Sequence, residues 1–225
     1  MNEPLHGASD GATLAELAAP KNPEDLWLAT GPADVPTHRM LMQGDVVVTP
    51  DGPVSVMSHA CSMRQGSAFH TTQIVAPIRD NSAADWSGYY DWMPLPCAQV
   101  PDMASPAACI RELRSESTDV LVTSTRIAVM ADTGVHILQQ RIAHHLSRVI
   151  IDVAELAEYS APVLAEAELH EEWVGQFGHQ TNDEFMWYLD CEDRKVRGWL
   201  SETHMRPQAM RTVRQEIRRR RENQQ

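Results

Sequence analysis

The sequence predicts an α+β chain, with a β-rich part over residues 40–131 and a helical part after it, and three observations carry that expectation. Short valine-rich runs between Met40 and Met130 alternate with Pro, Gly and Asp clusters, the pattern of strands joined by tight turns. From Thr133 the apolar spacing changes from two to three and four, the period of a helix with one buried face. Polar residues able to cap helices, Asp152, Ser160 and Thr181, then stand before the later apolar stretches.

Residues 1–39 read as a loose arm with a short helix. The first part is rich in Gly, Ala, Pro, Asn and Asp, and Glu24–Ala29 can make one or two helical turns after Asn22-Pro23. Asp45–Thr49 and Val54–Ser58 are two strands, and Pro50-Asp51-Gly52-Pro53 between them supplies the dihedrals of a tight turn, so the pair is a β-hairpin. Thr71–Ile78 is a third strand with Pro77 at its end, since proline cannot donate to a central ladder. Trp86–Leu95 reads as a fourth strand bent at Gly88. Residues 96–117, with Pro96, Pro101 and Pro106, form a connecting excursion with at most a short helix, and Asp119–Met130 gives one last strand or two short ones.

Residues 132–225 are the helical region. A helix over 133–149 is capped by Asp132 or Thr133 and buries Val135, Leu138, Ile142, Leu146 and Val149. Ser160-Ala-Pro162 starts another, with proline in its first turn. Thr181-Asn-Asp-Glu184 is a capping box before a helix beginning at Phe185, and Pro207 starts a final helix to about Arg221. Arg141 and Arg148 are expected to meet the acidic stretch Glu166–Glu172, or a phosphate.

Nineteen basic residues against thirty-one acidic ones give a net charge of −12. Against this, residues 204–225 hold seven arginines and two glutamates, a basic tail able to attract nucleic acid or an acidic partner. No apolar run is long enough for a transmembrane helix and no secretory signal opens the chain, so a cytoplasmic protein away from membranes is expected. The four cysteines form no CxxC pair and read as reduced thiols.

Several residue groups could carry chemistry. His59 and Cys61 would share one face if their strand continued, so they are candidate zinc ligands, or a thiol beside a base. His136, His144 and His145 on the long helix would need a distant partner such as His170 or Glu171 to hold a metal. Trp86, Tyr89, Tyr90 and Trp92, beside Arg64 and Arg79, could stack single-stranded nucleic acid. Phosphate-loop, dinucleotide and metalloprotease motifs are absent, and no cofactor is expected.

Gln43-Gly-Asp-Val-Val-Val48, Pro53-Val-Ser-Val-Met-Ser58 and Gln73-Ile-Val-Ala-Pro-Ile78 resemble the opening strands of the MazF/PemK family of toxin ribonucleases, over about 40 residues. The resemblance implies a small SH3-like β-barrel. The family's catalytic arginine falls at Gly52 here, and its catalytic threonine at Arg79, so neither matching position supplies its part. The expected function is therefore a non-catalytic binding or regulatory protein, in a toxin–antitoxin or phage-conflict setting. It would meet a protein partner or a second copy through helices 132–221, and nucleic acid through Arg64, Arg79 and Arg218, Arg219, Arg220 and Arg221. A divergent ribonuclease using His59 with Arg64 or Arg79 is the alternative, and an assembly protein that oligomerises through its helices is the third.

Overall fold

The computed structural model describes residues 17–65, 68–87, 91–191 and 195–223. Asn22 gives both its backbone and side-chain N–H to Asp25 Oδ2, at 3.1 and 3.2 Å, which fixes one 3-10 turn at Pro23–Leu26. The helical turns expected through Ala29 stop there, because the chain runs directly into strand β1, Trp27–Ala29. Leu26 and Trp27 are buried, and a sheet position hides them better than a short exposed helix.

The predicted hairpin is present as β2, Val46–Thr49, and β3, Gly52–Val56, with Thr49 opposite Gly52. Gly52 has φ +113°, a value costly for any other residue at this turn, and Thr49 Oγ1 closes the turn on the Gly52 carbonyl at 2.8 Å. A small ribbon follows, β4 (Arg64–Gln65) with β5 (Ala68–Phe69). Strand β6, Thr72–Asp80, is the longest. Pro77 lies inside it rather than at its end. It is tolerated because it falls between the stretch paired with β9, which ends at Val75, and the stretch paired with β8, which starts at Ile78.

Three expectations fail between residues 86 and 130. The fourth strand is only β7, Trp92–Pro94, and its proposed bend at Gly88 lies outside the described residues. The excursion at 96–117 contains two strands, β8 (Pro106–Cys109) and β9 (Arg114–Ser117), both paired with β6. Residues 118–123 form helix α1 although their valines favour strand, and only β10, Thr125–Met130, extends. In α1, Leu121 buries against Val47, Val54 and Val75, so packing overrides propensity.

All pairings are antiparallel, in the order β1-β10-β2-β3-β6-β8-β7, with β9 also on β6. Register shifts in the β1–β10 and β10–β2 ladders bend the sheet into a curled half-barrel. Val46 and Val47 both lie at 0% exposure but belong to different clusters, one on each face. A sheet covered on both sides explains why GDVVV reads as an unbroken apolar run.

Helix α2, Asp132–Ser147, covers one face through Val135, Ile137 and Leu138. Its N-cap is Ala131 rather than the expected Asp132 or Thr133, and alanine has no side-chain acceptor to cap with; its N–H instead donates to the Leu26 carbonyl at 2.9 Å. A Cβ on Gly134 would collide with that same carbonyl. The helix ends at Arg148, φ +60°, and leaves Leu146 and Val149 exposed. Arg141 does not reach the acidic stretch. It is fully buried, gives N–H bonds to the carbonyls of Trp86 (2.9 Å) and Trp92 (3.1 Å), and sits 4.8 Å from the Trp86 ring centroid. Lysine cannot span both carbonyls, so Arg141→Lys should cost about 2 kcal/mol, read as a lower urea midpoint with an unchanged slope.

Helix α3, Val153–Phe177, is one continuous element. Asp152 caps it, with Oδ1 accepting from the Ala154 N–H at 2.7 Å, so Ser160-Ala-Pro162 lies in its interior instead of opening a new helix. The Ser160 hydroxyl is used elsewhere. It donates to Gln139 Oε1 (3.0 Å), Gln139 Nε2 donates to Gln43 Oε1 (2.9 Å), and Gln43 Nε2 donates to the Met57 carbonyl (2.7 Å). This buried relay joins α3 through α2 to the sheet.

Helices α4 (Asn182–Asp190), α5 (Val196–Ser201) and α6 (Arg206–Asn223) complete the chain. The expected box at Thr181 is not formed: its hydroxyl donates to the Gly178 carbonyl (2.7 Å) and accepts from Trp173 Nε1 (3.1 Å), while Glu184 pairs with Arg220. Trp173, Phe185, Leu189, Leu200 and Val213 form a second core among these helices. Among the described residues no helix is long and apolar enough to cross a membrane.

Candidate functional site

Strand β3 stops at Val56, and Ala60–Ser62 is a 3-10 turn, so His59 and Cys61 do not share a strand face. His59 instead caps the turn, its Nδ1 accepting from the Cys61 N–H at 3.2 Å. Burial holds His59 below the ordinary histidine range, and burial together with the Glu166 carboxylate raises the Cys61 thiol. A raised thiol is a poor nucleophile at neutral pH. Among the described residues, no three His, Cys, Asp or Glu side chains gather as metal ligands.

The arginines proposed together are held apart. Arg79 lies on β6, exposed, 2.6 Å from Glu112. Arg64 lies on β4, largely buried, 2.9 Å from Glu166. In the tail, Arg219 and Arg220 close on Glu216 at 2.7 Å; Arg219 stays exposed, whereas Arg220 also stacks 4.6 Å from the Trp173 ring centroid and serves packing. Arg218 and Arg221 face solvent. His145 pairs with Asp91 at 3.0 Å, far in sequence and role from His170. Trp86 lies under Arg141, and the two tyrosines of the aromatic group fall outside the described residues.

The arrangement with most chemical content is one the sequence reading did not assemble. A cavity of about 450 Å3 opens between the sheet and helices α3 and α4, a size suited to a small-molecule ligand. Its position follows from a buried clamp. Asp45 is fully buried and accepts from Arg126 Nη1 (2.7 Å) and the Met42 N–H (2.9 Å). Arg126 also donates to the carbonyls of Met40 (2.9 Å) and Arg39 (2.6 Å). These bonds fold residues 39–45 against β10 and set His38 and Arg39 in the cavity wall.

The lining has two characters. Arg39, Arg64 and Arg126, with His38, His170 and His179, form a basic part, and every charged side chain in the lining is an arginine. Their acidic partners Asp45, Glu166 and Glu171 stand outside the lining. Leu41, Phe69, Leu121, Val122 and Met186 form an apolar part. Three buried nitrogens of this wall have no hydrogen-bond partner: His38 Nδ1, Arg39 Nε and His170 Nδ1. Each of the three has almost no accessible surface, so they belong to the packed wall behind the cavity.

His170 is 6% exposed, meets Asn182 Oδ1 through Nε2 at 3.1 Å, and has the Phe185 ring edge-on at 5.3 Å. Burial lowers its pKa to about 4, against the smaller pull of the Asn182 bond, so it is neutral at pH 7. The folded value lies below the unfolded one, so this stabilisation is complete above about pH 6.5 and is lost as pH falls towards 4. Urea midpoints should therefore drop between pH 6.5 and 4.5, ahead of most carboxylate titration, and the drop should flatten in His170→Asn. An equal slope in both proteins would refute the assignment.

Local signals for this site were few, because Arg39, Arg64, Arg126, His170 and Asn182 come from five separate segments. No protein-family model matches the chain, and no curated protein shows significant similarity to it.

Proposed function

We propose that the chain is a binding protein whose ligand is a small anion-bearing molecule held between the curled sheet and helices α3 and α4. The observation that carries this reading is the basic wall: three guanidiniums and no carboxylate line a partly enclosed space in a chain of net charge −12. Low-dielectric walls of one sign focus the field on an entering counter-charge. Arg39 is the least committed of the three, since its acidic partner Glu171 comes no closer than 3.6 Å. Binding rather than catalysis fits a His59 whose Nδ1 lone pair is taken by the Cys61 N–H and a Cys61 thiol raised by burial.

Thermal unfolding in rising phosphate or pyrophosphate tests the reading, since a ligand bound to the folded state alone raises Tm by mass action. An increase is expected, and Arg39→Gln should shift the half-effect concentration about tenfold upward. No increase, or the same increase in the variant, would sink the proposal.

A further inference from the structure

We infer that the outer face of α6 is a docking surface for double-stranded DNA, held through its phosphates by Arg211, Arg218 and Arg221 whatever the base sequence. No residue of α6 lines the cavity, so this surface goes beyond the small-anion reading and does not depend on it.

The helix carries two kinds of arginine. Arg214 reaches Glu168 and Glu172 at 2.6 Å, and Arg220 is tied to Glu184 and Glu216. With Ala209 and Val213 buried in the helical core, these contacts hold α6 as a fixed element and not a frayed end. Arg211, Arg218 and Arg221 are exposed, and among the described residues none of them makes an ion pair. Positions 208, 211, 215 and 218 recur every three or four residues, so Gln208, Arg211, Gln215 and Arg218 form one outward stripe. Arg221 stands beside its end, and Glu222 is its single acid.

The make-up of that stripe selects the partner. A helix lying on a membrane needs an apolar face for the lipid, and the apolar face of α6 is already packed into the core. A protein interface keeps an apolar or aromatic centre with charges at its rim, which arginine and glutamine alone do not supply. A phosphate backbone suits them: guanidinium groups match phosphate oxygens in pairs, and glutamine amides donate to the same oxygens. Residues 211–221 span about 15 Å of helix, a length over which B-form DNA offers about nine phosphates. Its major groove, about 12 Å wide, admits the exposed side of an α-helix, whereas that of an RNA duplex is too deep and narrow. In a chain of net charge −12, the remaining surface repels a polyanion and confines contact to this face.

Fluorescence anisotropy of the full chain with labelled DNA duplexes of two unrelated sequences tests this. Both should bind alike, and contacts from these three arginines predict about 40-fold weaker binding as salt rises from about 50 to about 200 mM. Changing Arg211, Arg218 and Arg221 together to Gln should remove most of the affinity and most of that salt dependence. The unfolding midpoint of this triple variant should not move, because the three side chains hold nothing in the fold. Arg111→Gln, at an exposed arginine in the turn after β8, should leave DNA affinity unchanged. No binding at the lower salt, undiminished binding by the triple variant, or an equal loss in Arg111→Gln would overturn the inference. So would an RNA duplex, or polyglutamate at equal charge, that displaces the DNA as well as unlabelled duplex does.

Discussion

Asp45→Ala should lower the unfolding free energy by about 3–5 kcal/mol, one of the largest effects of any single change in this protein. The carboxylate holds Arg126 and the Met42 N–H at once, from a position with no exposed surface. Its removal leaves a guanidinium largely out of water without its counter-charge, and a backbone donor unpaired. Burial raises the Asp45 carboxyl above the ordinary range, with Arg126 pulling the other way. A raised acid contributes stability that is lost as pH rises through its folded pKa, so Asp45→Asn should cost less than the alanine change and remove that slope. Chemical denaturation of the three proteins as a function of pH, from the ordinary aspartate range upward, checks both points. Equal losses for Asn and Ala would show that shape, not the charge on Asp45, holds the clamp. On the proposed reading, anion binding should weaken as well, because the clamp sets Arg39 and His38 in the cavity wall.

Trp173→Ala should cost about 3–5 kcal/mol through a different mechanism, a cavity in the helical core. The indole is fully buried, with Phe177, Phe185 and Tyr188 ring centroids at 5.3, 5.6 and 5.6 Å and the Arg220 guanidinium at 4.6 Å. Because Arg220 stacks on it and also ties to Glu184 and Glu216, the substitution should loosen α6 as well as α3 and α4. Trp173→Phe keeps most of the volume but loses the bond to Thr181, and should recover more than half of the loss. Hydrogen exchange resolved by segment separates the two variants: protection in 206–223 should fall in the alanine protein and persist in the phenylalanine one. Unchanged protection there in both would place the anchoring of α6 elsewhere.

Elements encoded by adjacent residues were legible in the sequence, and elements fixed by distant contacts were not. The β2–β3 hairpin needs only the dihedrals of Pro50-Asp51-Gly52 and the valines around them, so its strands are found with small errors at the ends. Helix α1 carries the β-branched signature of a strand, yet Leu121 docks it as a helix on the sheet. Ser160-Ala-Pro162 has every local mark of a helix start, but the cap at Asp152 and the bond from Ser160 to Gln139 carry α3 through it. The site follows the same logic. The sequence singles out Arg64 as a cation for nucleic acid, but its neighbours in the cavity come from the arm, the last strand and two helices. His59-x-Cys61 drew attention through spacing alone, and the turn at Ala60 removes the shared face on which a metal reading depended.

The order of strands also bears on synthesis. The sheet is laid down from its middle, since β2, β3 and β6 are near neighbours in sequence, while β10, which covers the free edge of β2, begins only at Thr125. Until the ribosome has passed that point, a nascent chain displays the bare edge of its most valine-rich strand, with β1 waiting for the same partner. A chain released at residue 124 should therefore aggregate or recruit chaperones, whereas one released after Met130 has every strand partner it needs.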